Sequence, residues 1–437
     1  MTVTTLTRNP RALFLWDYKD GTDEYGRLVS RTGQAITFDR GGTAGTASAV
    51  DRNGRTYVPG YKSPRFHHQY SATSGLFEPV GVICEGQRQN LCLQSADLTT
   101  TWSLQNPGTR TNNVTGPDGT ANGACTVTDN QAATYTSLRQ SFVVANDSLP
   151  HVASIHILRT TSATTFPGMS ISLTGGATIY ASLALNTNTG TATARTGEVP
   201  TNIWVERDGD FWRVSWSATN NTSGNTTLTL DYYPAVNGDA SATWVAATTG
   251  SAVFAEPDLE KAAFPSRHIK TTTTPLTRTA DSFTAVFNAA PGAMTVYFKV
   301  IDYGVLASSG TAYYLLNIGN GATATCLLIN AASGKVQGYW DGGGNPYVSA
   351  AASPAYGDLL EVRVVVQASG LTVGQTLNSG TEATTTSATA VTFPSSFSSA
   401  VLTVGNNAAA NSPAFFAAQQ VKVASGSLTL AQMRSLG

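Results

Sequence analysis

Charge is scarce in this chain: Asp, Glu, Lys and Arg together make up 12% of its 437 residues, about half the share usual in globular proteins. The 26 basic and 27 acidic residues nearly cancel, leaving a formal net charge of -1. Such a balance gives no electrostatic footprint for nucleic acid or for an anionic membrane. Long apolar runs are missing as well; none approaches the roughly 20 residues that span a bilayer as a helix, so no membrane insertion is expected. The opening residues, Met1 to Arg8, lack the basic-then-apolar order of a secretion signal, which points to synthesis in a cytosol. Cysteine is rare: Cys84, Cys92, Cys125 and Cys326 stand without a CxxC spacing, and the five histidines do not cluster with them. Metal ligation needs clustered ligands, so the cysteines are expected as buried thiols and no metal or other cofactor is expected. Asp208, Asp210 and Asp239 stand on turns whose oxygens suit calcium, yet turn chemistry explains them without an ion. Heptads, a collagen-like glycine period and repeated units are all absent, which argues against a long fibre shaft.

In place of charge stand Thr, Ser, Ala, Gly and Asn. This mixture is poor helix material and suits short strands joined by polar turns. Residues 1–80 are expected to form an irregular anchoring or oligomerisation segment, with an apolar start at Leu13–Trp16 and an Asn53-Gly54 hairpin turn. Over 81–270 strand signals recur at Leu138–Val144, His151–Leu158, Met169–Leu173, Ile179–Leu185, Trp204–Glu206, Trp212–Trp216, Leu228–Tyr233 and Ala252–Ala255. A second series fills 271–437 and ends in a short helix at Thr429–Leu436, which Ser427 or Thr429 can cap. The expected fold is therefore all-β: two tandem β-sandwich (jelly-roll) domains, an irregular N-terminal segment and a short C-terminal helix.

The stretch from Phe254 to Ser266 decides the class of function. In an extended strand Glu256, Asp258 and Glu260 would present three carboxylates to one face, a layout that serves paired acid and nucleophile chemistry in glycan cleavage. Pro257 lacks a backbone donor and points to a sheet edge or to no sheet, whereas cleavage clefts lie on central strands. The acids are accordingly expected to join two β domains, and the protein is expected not to be an enzyme. A glycan depolymerase using the three acids is the alternative.

Four blocks resemble a family of bacteriophage virion structural proteins, of the tail-fibre, head-spike and decoration type. They are Pro64-Arg65-Phe66 with Pro79–Leu91, Gln94–Asp97 and Trp102; Pro117–Thr120 with Ser141–Val144 and Ala153–Ile157; Leu185–Gly190 with Gly209–Ser215; and Glu256–Ile269 leading to Leu276–Asp281. The likeness spans roughly residues 50 to 285, and the C-terminal part resembles a concanavalin/laminin-G-like sandwich. The chain departs from the pattern at Gly86, where a second acid is usual, and near His268, where an aromatic is usual. The resemblance implies a carbohydrate-binding-module-like sandwich and a place on the virion surface after synthesis in the host cytoplasm. It further implies contacts with capsid or tail subunits, attachment to host-surface glycans, and a homotrimer by analogy with phage spikes.

Three groups of residues are singled out. Glu85, Arg88 and Asn90 are expected at a domain interface, where a guanidinium fork ties carboxylates and carbonyls. Trp212 and Trp216 share one strand face and offer rings for stacking on sugars, as do Trp204 and Trp244 elsewhere. Tyr339, Trp340, Asp341, Asn345 and Tyr347 surround the Gly342–Gly344 loop and are expected to form a binding rim.

Overall fold

Alternation builds some of the strands. In Ser137–Val143, Leu138 enters a core while Ser141 and Val143 face solvent, whereas central strands such as Pro150–Leu158 and Leu359–Gln367 are buried almost throughout. The computed structural model describes residues 12–20, 28, 30–40, 48–59, 63–162, 164–237, 241–289, 292–303, 313–319, 324–329, 334–341, 347–393, 397–405 and 415–436. Among them the fold is all-β, with sheets packed in two sandwich-like pairs.

In the first sandwich, one six-stranded sheet runs in the order 203–208, 211–219, 150–158, 250–260, 124–129, 109–114. The other runs 192–194, 179–185, 166–174, 227–237, 137–143, 103–105. Trp102, Trp216, Tyr232 and Phe254 fill the space between them. In the second sandwich an eight-stranded sheet centred on Met294–Asp302 and Phe416–Ser425 faces a seven-stranded sheet that includes Asp281–Ala289 and Phe397–Val404. Phe14, Trp16, Phe283, Trp340 and Phe416 lie in that core. A buried side chain of this size contributes roughly 1.5–3 kcal/mol, so each sandwich has its own apolar driving force.

Hydroxyl pairs on facing strands occupy places where a more charged chain would set ion pairs. Thr128 meets Ser251 at 2.7 Å, Ser141 meets Thr229 at 3.0 Å and Thr372 meets Thr386 at 3.0 Å, each directly opposite its partner in the ladder. Such pairs stabilise a sheet by roughly 0.2–1 kcal/mol each, enough to set register without net charge.

Two expectations are corrected, the second in part. The described residues of 1–80 are not irregular throughout: Ala12–Asp17 and Phe77–Cys84 both pair with Phe416–Ser425, and Ile36–Arg40 pairs with Asp281–Ala289. The second sandwich is thus assembled from both ends of the chain, and Phe77–Cys84 runs across the boundary expected at residue 80. Pro257 lies in Gly250–Glu260, a strand that is central over 250–254, between Pro150–Leu158 and Ala124–Asp129. The ladder with Ala124–Asp129 stops at Phe254, so at Pro257 the strand has a ladder partner on one side only. A bulge takes Pro257 out of the ladder: Ser154 pairs with Asp258 but His156 with Ala255, and Glu256 turns to φ 51°.

The chain leaves the second sandwich through Arg88–Asn90 and returns through Leu276–Arg278, and these two crossings pair as an antiparallel ribbon. At the far end, helix α1, Leu430–Ser435, is capped by Thr429 and Gln432 acting reciprocally. Lys422 Nζ donates to the carbonyls of Met433, Arg434 and Leu436 at 3.1, 3.2 and 2.6 Å, satisfying the helix end.

Candidate functional site

The bulge at Glu256 decides where the acids point. With one extra residue in the strand, Phe254 and Leu259 both enter the first core although five apart, and Asp258 and Glu260 are turned to the outer face. That face is covered. Residues 261–275 cross it as a strap, and the carboxylates accept the strap's donors. Ser266 N–H donates to Glu260 Oε2 at 3.0 Å, Ser266 Oγ donates to Glu260 Oε1, and Ile269 N–H donates to Asp258 Oδ2 at 3.1 Å. Glu256 accepts from Thr56 Oγ1 at 3.3 Å and lies 3.3 Å from His156 Nδ1. Burial pushes the Asp258 carboxyl up to about 7 against the pull of the Ile269 N–H. Burial, reinforced by the Asp258 charge, pushes Glu260 to about 7 as well. Burial also lowers His268, 3.6 Å from Asp258, to about 4, so its imidazole is neutral at pH 7.

Arg267 and Glu85 anchor a second, strongly charged layer between the sandwiches. The Arg267 guanidinium reaches Glu206 at 3.1 Å, Asp208 at 3.2 Å and His67 Nε2 at 2.7 Å. Glu206 also meets Arg213 at 3.3 Å, and Asp208 meets His156 at 3.1 Å. Glu85 is bonded by Arg65 Nη1 at 2.7 Å, by Arg278 Nη1 and by the Arg267 N–H at 2.8 Å, while Arg65 also holds Asp281. Burial alone would raise the Glu85 carboxyl; the Arg278 and Arg65 charges outweigh it and hold it at about 2. The same competition, won by Arg267, keeps Asp208 below the usual carboxylate range. Residues of both sandwiches and of the strap contribute to this network.

The three residues expected at an interface lie along this seam. Glu85 is its central acid. Asn90 is fully buried and makes every bond an amide can: Nδ2 donates to the carbonyls of Pro257 (3.2 Å) and Ile269 (2.8 Å), and Oδ1 accepts from Cys92 N (2.9 Å) and Leu259 N (3.1 Å). Arg88 stacks 4.9 Å from the Phe264 ring and 4.1 Å from that of Phe415, with Nε 3.6 Å from Glu260.

The expected stacking surfaces are placed differently. Trp216 is fully buried in the first core against Tyr232, and Trp340 is fully buried in the second with Nε1 donating to Thr392 O at 3.2 Å. Neither ring can meet a sugar. Trp212 is half-buried between the Gly190 backbone and the Arg159 guanidinium, its Nε1 donating to Thr187 O at 2.8 Å. Trp244 is buried under Arg195 at 4.8 Å, and Trp204 packs on Tyr356 at 5.8 Å. Tyr339 is half-buried; the side chains of Asp341 and Tyr347 and the whole of Asn345 lie outside the described residues. Asp208 is engaged by Arg267 and His156 and is closed to an ion, and Asp239 lies outside the described residues.

Cys84, Cys92 and Cys125 are free, buried thiols. No group of metal-ligating side chains occurs among the described residues. Two clefts open on the surface near the seam, one of about 380 Å³ beside Tyr18, Phe66 and His68, the other of about 300 Å³ beside Arg88, Leu91 and Lys261. The sequence drew no attention to Arg65, His67, Glu206 or Arg267 as partners. One signal was available: in a chain with 12% charged residues, Glu206, Asp208, Asp210 and Arg213 fall within eight positions.

No protein-family model matches this chain, and neither does any curated protein. Among solved structures, the native heptameric SAP-like pentraxin from Limulus polyphemus is similar over 34% of this chain and 71% of that one, at 12% identity and a TM-score of 0.25. A likeness at that score carries no weight for fold or function.

Proposed function

We propose that this chain is a non-enzymatic structural protein of a bacteriophage virion surface, a capsid decoration, head spike or short tail fibre, that binds neighbouring subunits and host-surface glycans. In this reading the sandwiches are two jelly rolls, the second concanavalin/laminin-G-like, and the protein is a homotrimer. The sequence blocks that resemble virion proteins support it. The observation that carries it is the engagement of Asp258 and Glu260 by the strap: carboxylates that accept backbone N–H groups of a covering segment join elements and leave no room for a sugar between them. Rigid coupling of two sandwiches suits a protein that transmits load and performs no chemistry.

Immunogold labelling of intact particles with an antibody against this chain tests the assignment. Regular labelling of the head or tail tip is expected, and its absence from particles that package normally would refute it. Incubation with host capsular polysaccharide should release no new reducing ends; release by the wild type that is lost in Glu256→Gln would restore the depolymerase alternative.

A further inference from the structure

The buried arginines of the seam, Arg65, Arg213, Arg267 and Arg278, each face a carboxylate, and so does half-buried Arg88; two half-buried arginines close to the seam do not. Arg159 follows strand Pro150–Leu158 and Arg207 lies in strand Ile203–Asp208, directly opposite Trp212. Both guanidiniums are clamped on aromatic rings: Arg159 over Trp212 at 5.0 Å, Arg207 over Tyr70 at 3.9 Å and over Phe77 at 5.9 Å. Tyr70 and Phe77 belong to a hairpin of the second sandwich, so the pair sits where the seam opens to solvent. Arg207 uses Nε on its own turn, donating to Gly209 O at 3.1 Å, and Arg159 Nε is buried without a partner. Their terminal nitrogens make no hydrogen bond or ion pair with any described residue. Burial and the Arg207 charge both depress the proton affinity of Arg159, which the exposed Asp210 only partly offsets. The two like charges, partly desolvated and only partly balanced by Asp210, favour a further anion between them.

We infer that Arg159 and Arg207 form an anion-binding site for a carboxylate-bearing sugar of an acidic surface polysaccharide. Stacking fixes the guanidinium planes, and a fixed fork matches a carboxylate with two parallel hydrogen bonds. Tyr70 and Phe77 supply apolar edges for a pyranose ring, and the exposed Thr161 and Ser162 follow Arg159 closely in the chain. A chain with a net charge of -1 has no extended positive field for a polyphosphate backbone, which favours recognition of single carboxylates. The inference rests on the glycan-attachment role proposed above and gives it a ligand class.

Affinity electrophoresis through gels containing polygalacturonate, its fully methyl-esterified form or neither provides the test. Polygalacturonate should retard the wild type and the methyl ester should not. Arg207→Gln should weaken retardation about ten-fold, the worth of one charge-assisted fork. Arg207→Lys, which keeps the charge and loses the fork, should weaken it nearly as much, whereas Arg52→Gln, at an exposed arginine elsewhere, should not change it. Equal retardation of wild type and Arg207→Gln, equal retardation by the methyl ester, or displacement by inorganic phosphate as readily as by galacturonate would overturn the site. Labelled particles with no retardation would sink this site alone; retardation without labelled particles would sink the virion assignment and leave the site standing.

Discussion

The Arg267 N–H donates to Glu85 at 2.8 Å while the Arg267 guanidinium holds Asp208 at 3.2 Å, so one strap residue binds an acid of each sandwich. Removing that cation leaves Glu206 and Asp208 buried with less charge to face. Arg267→Met should destabilise the protein by about 3–5 kcal/mol. Urea unfolding followed by fluorescence should show one cooperative transition for the wild type and two for the variant, since each sandwich retains its own core.

Asp258 makes a pH-dependent contribution whose sign is opposite to that of Glu85. Its carboxyl titrates near 7 in the folded protein against 3.8 when free, so the folded state holds the extra proton between these values. Its contribution to stability is therefore full below about pH 4 and is lost as pH rises through 7. Asp258→Asn, which keeps an acceptor for the Ile269 N–H, should be close to neutral at pH 4 and stabilising by about 2 kcal/mol at pH 8. Thermal melts of the two proteins across this range check it. A difference that does not vary with pH would show that Asp258 is charged throughout.

Asn90 offers a test without charge. Asn90→Ala strands the carbonyls of Pro257 and Ile269 and the N–H groups of Cys92 and Leu259. A loss of about 2–4 kcal/mol is expected, because each buried group left without a partner costs about 1–3 kcal/mol and water recovers part of it. Chemical denaturation measures the loss, and Asn90→Asp, unable to donate to the two carbonyls, should restore little of it.

Trp340 and Trp216 separate packing from recognition. Either Trp→Ala change should cost about 3–5 kcal/mol by opening a cavity, while binding of the folded variants to acidic polysaccharide stays at the wild-type level. Lost binding with unchanged melting would return these rings to the surface.

Local pattern made the strand content legible. Ile179–Leu185 was delimited as found, and Met169–Leu173 was located within Phe166–Thr174. Alternation, however, says nothing about distant partners. The apolar run Leu13–Trp16 was visible, but its ladder with Val421–Val423 joins positions some four hundred residues apart, which no local signal encodes. Pro257 is a partial guide: it follows the point where the ladder with Ala124–Asp129 ends, yet a bulge beside it lets the strand continue against Pro150–Leu158. Glu85, Arg88 and Asn90 adjoin a crossing of the chain between the sandwiches, and their side chains lie along the seam. Asp208 carries only a turn signal in the sequence, since Asp-Gly-Asp is turn chemistry wherever it occurs; only the fold brings Arg267 to it. Trp216 and Trp340 illustrate the commoner fate of tryptophan, whose large apolar area favours burial over display.

Hydrogen exchange at the Ser266 and Ile269 amides, the donors to Glu260 and Asp258, reaches most directly the question of whether the strap seals the acids. Both amides should exchange only as slowly as the central strand amides of Ile155 and Phe254, through unfolding of the whole sandwich. Exchange orders of magnitude faster than those strands would mean that the strap opens on its own and bares a row of carboxylates, which a passive, locked seam does not allow.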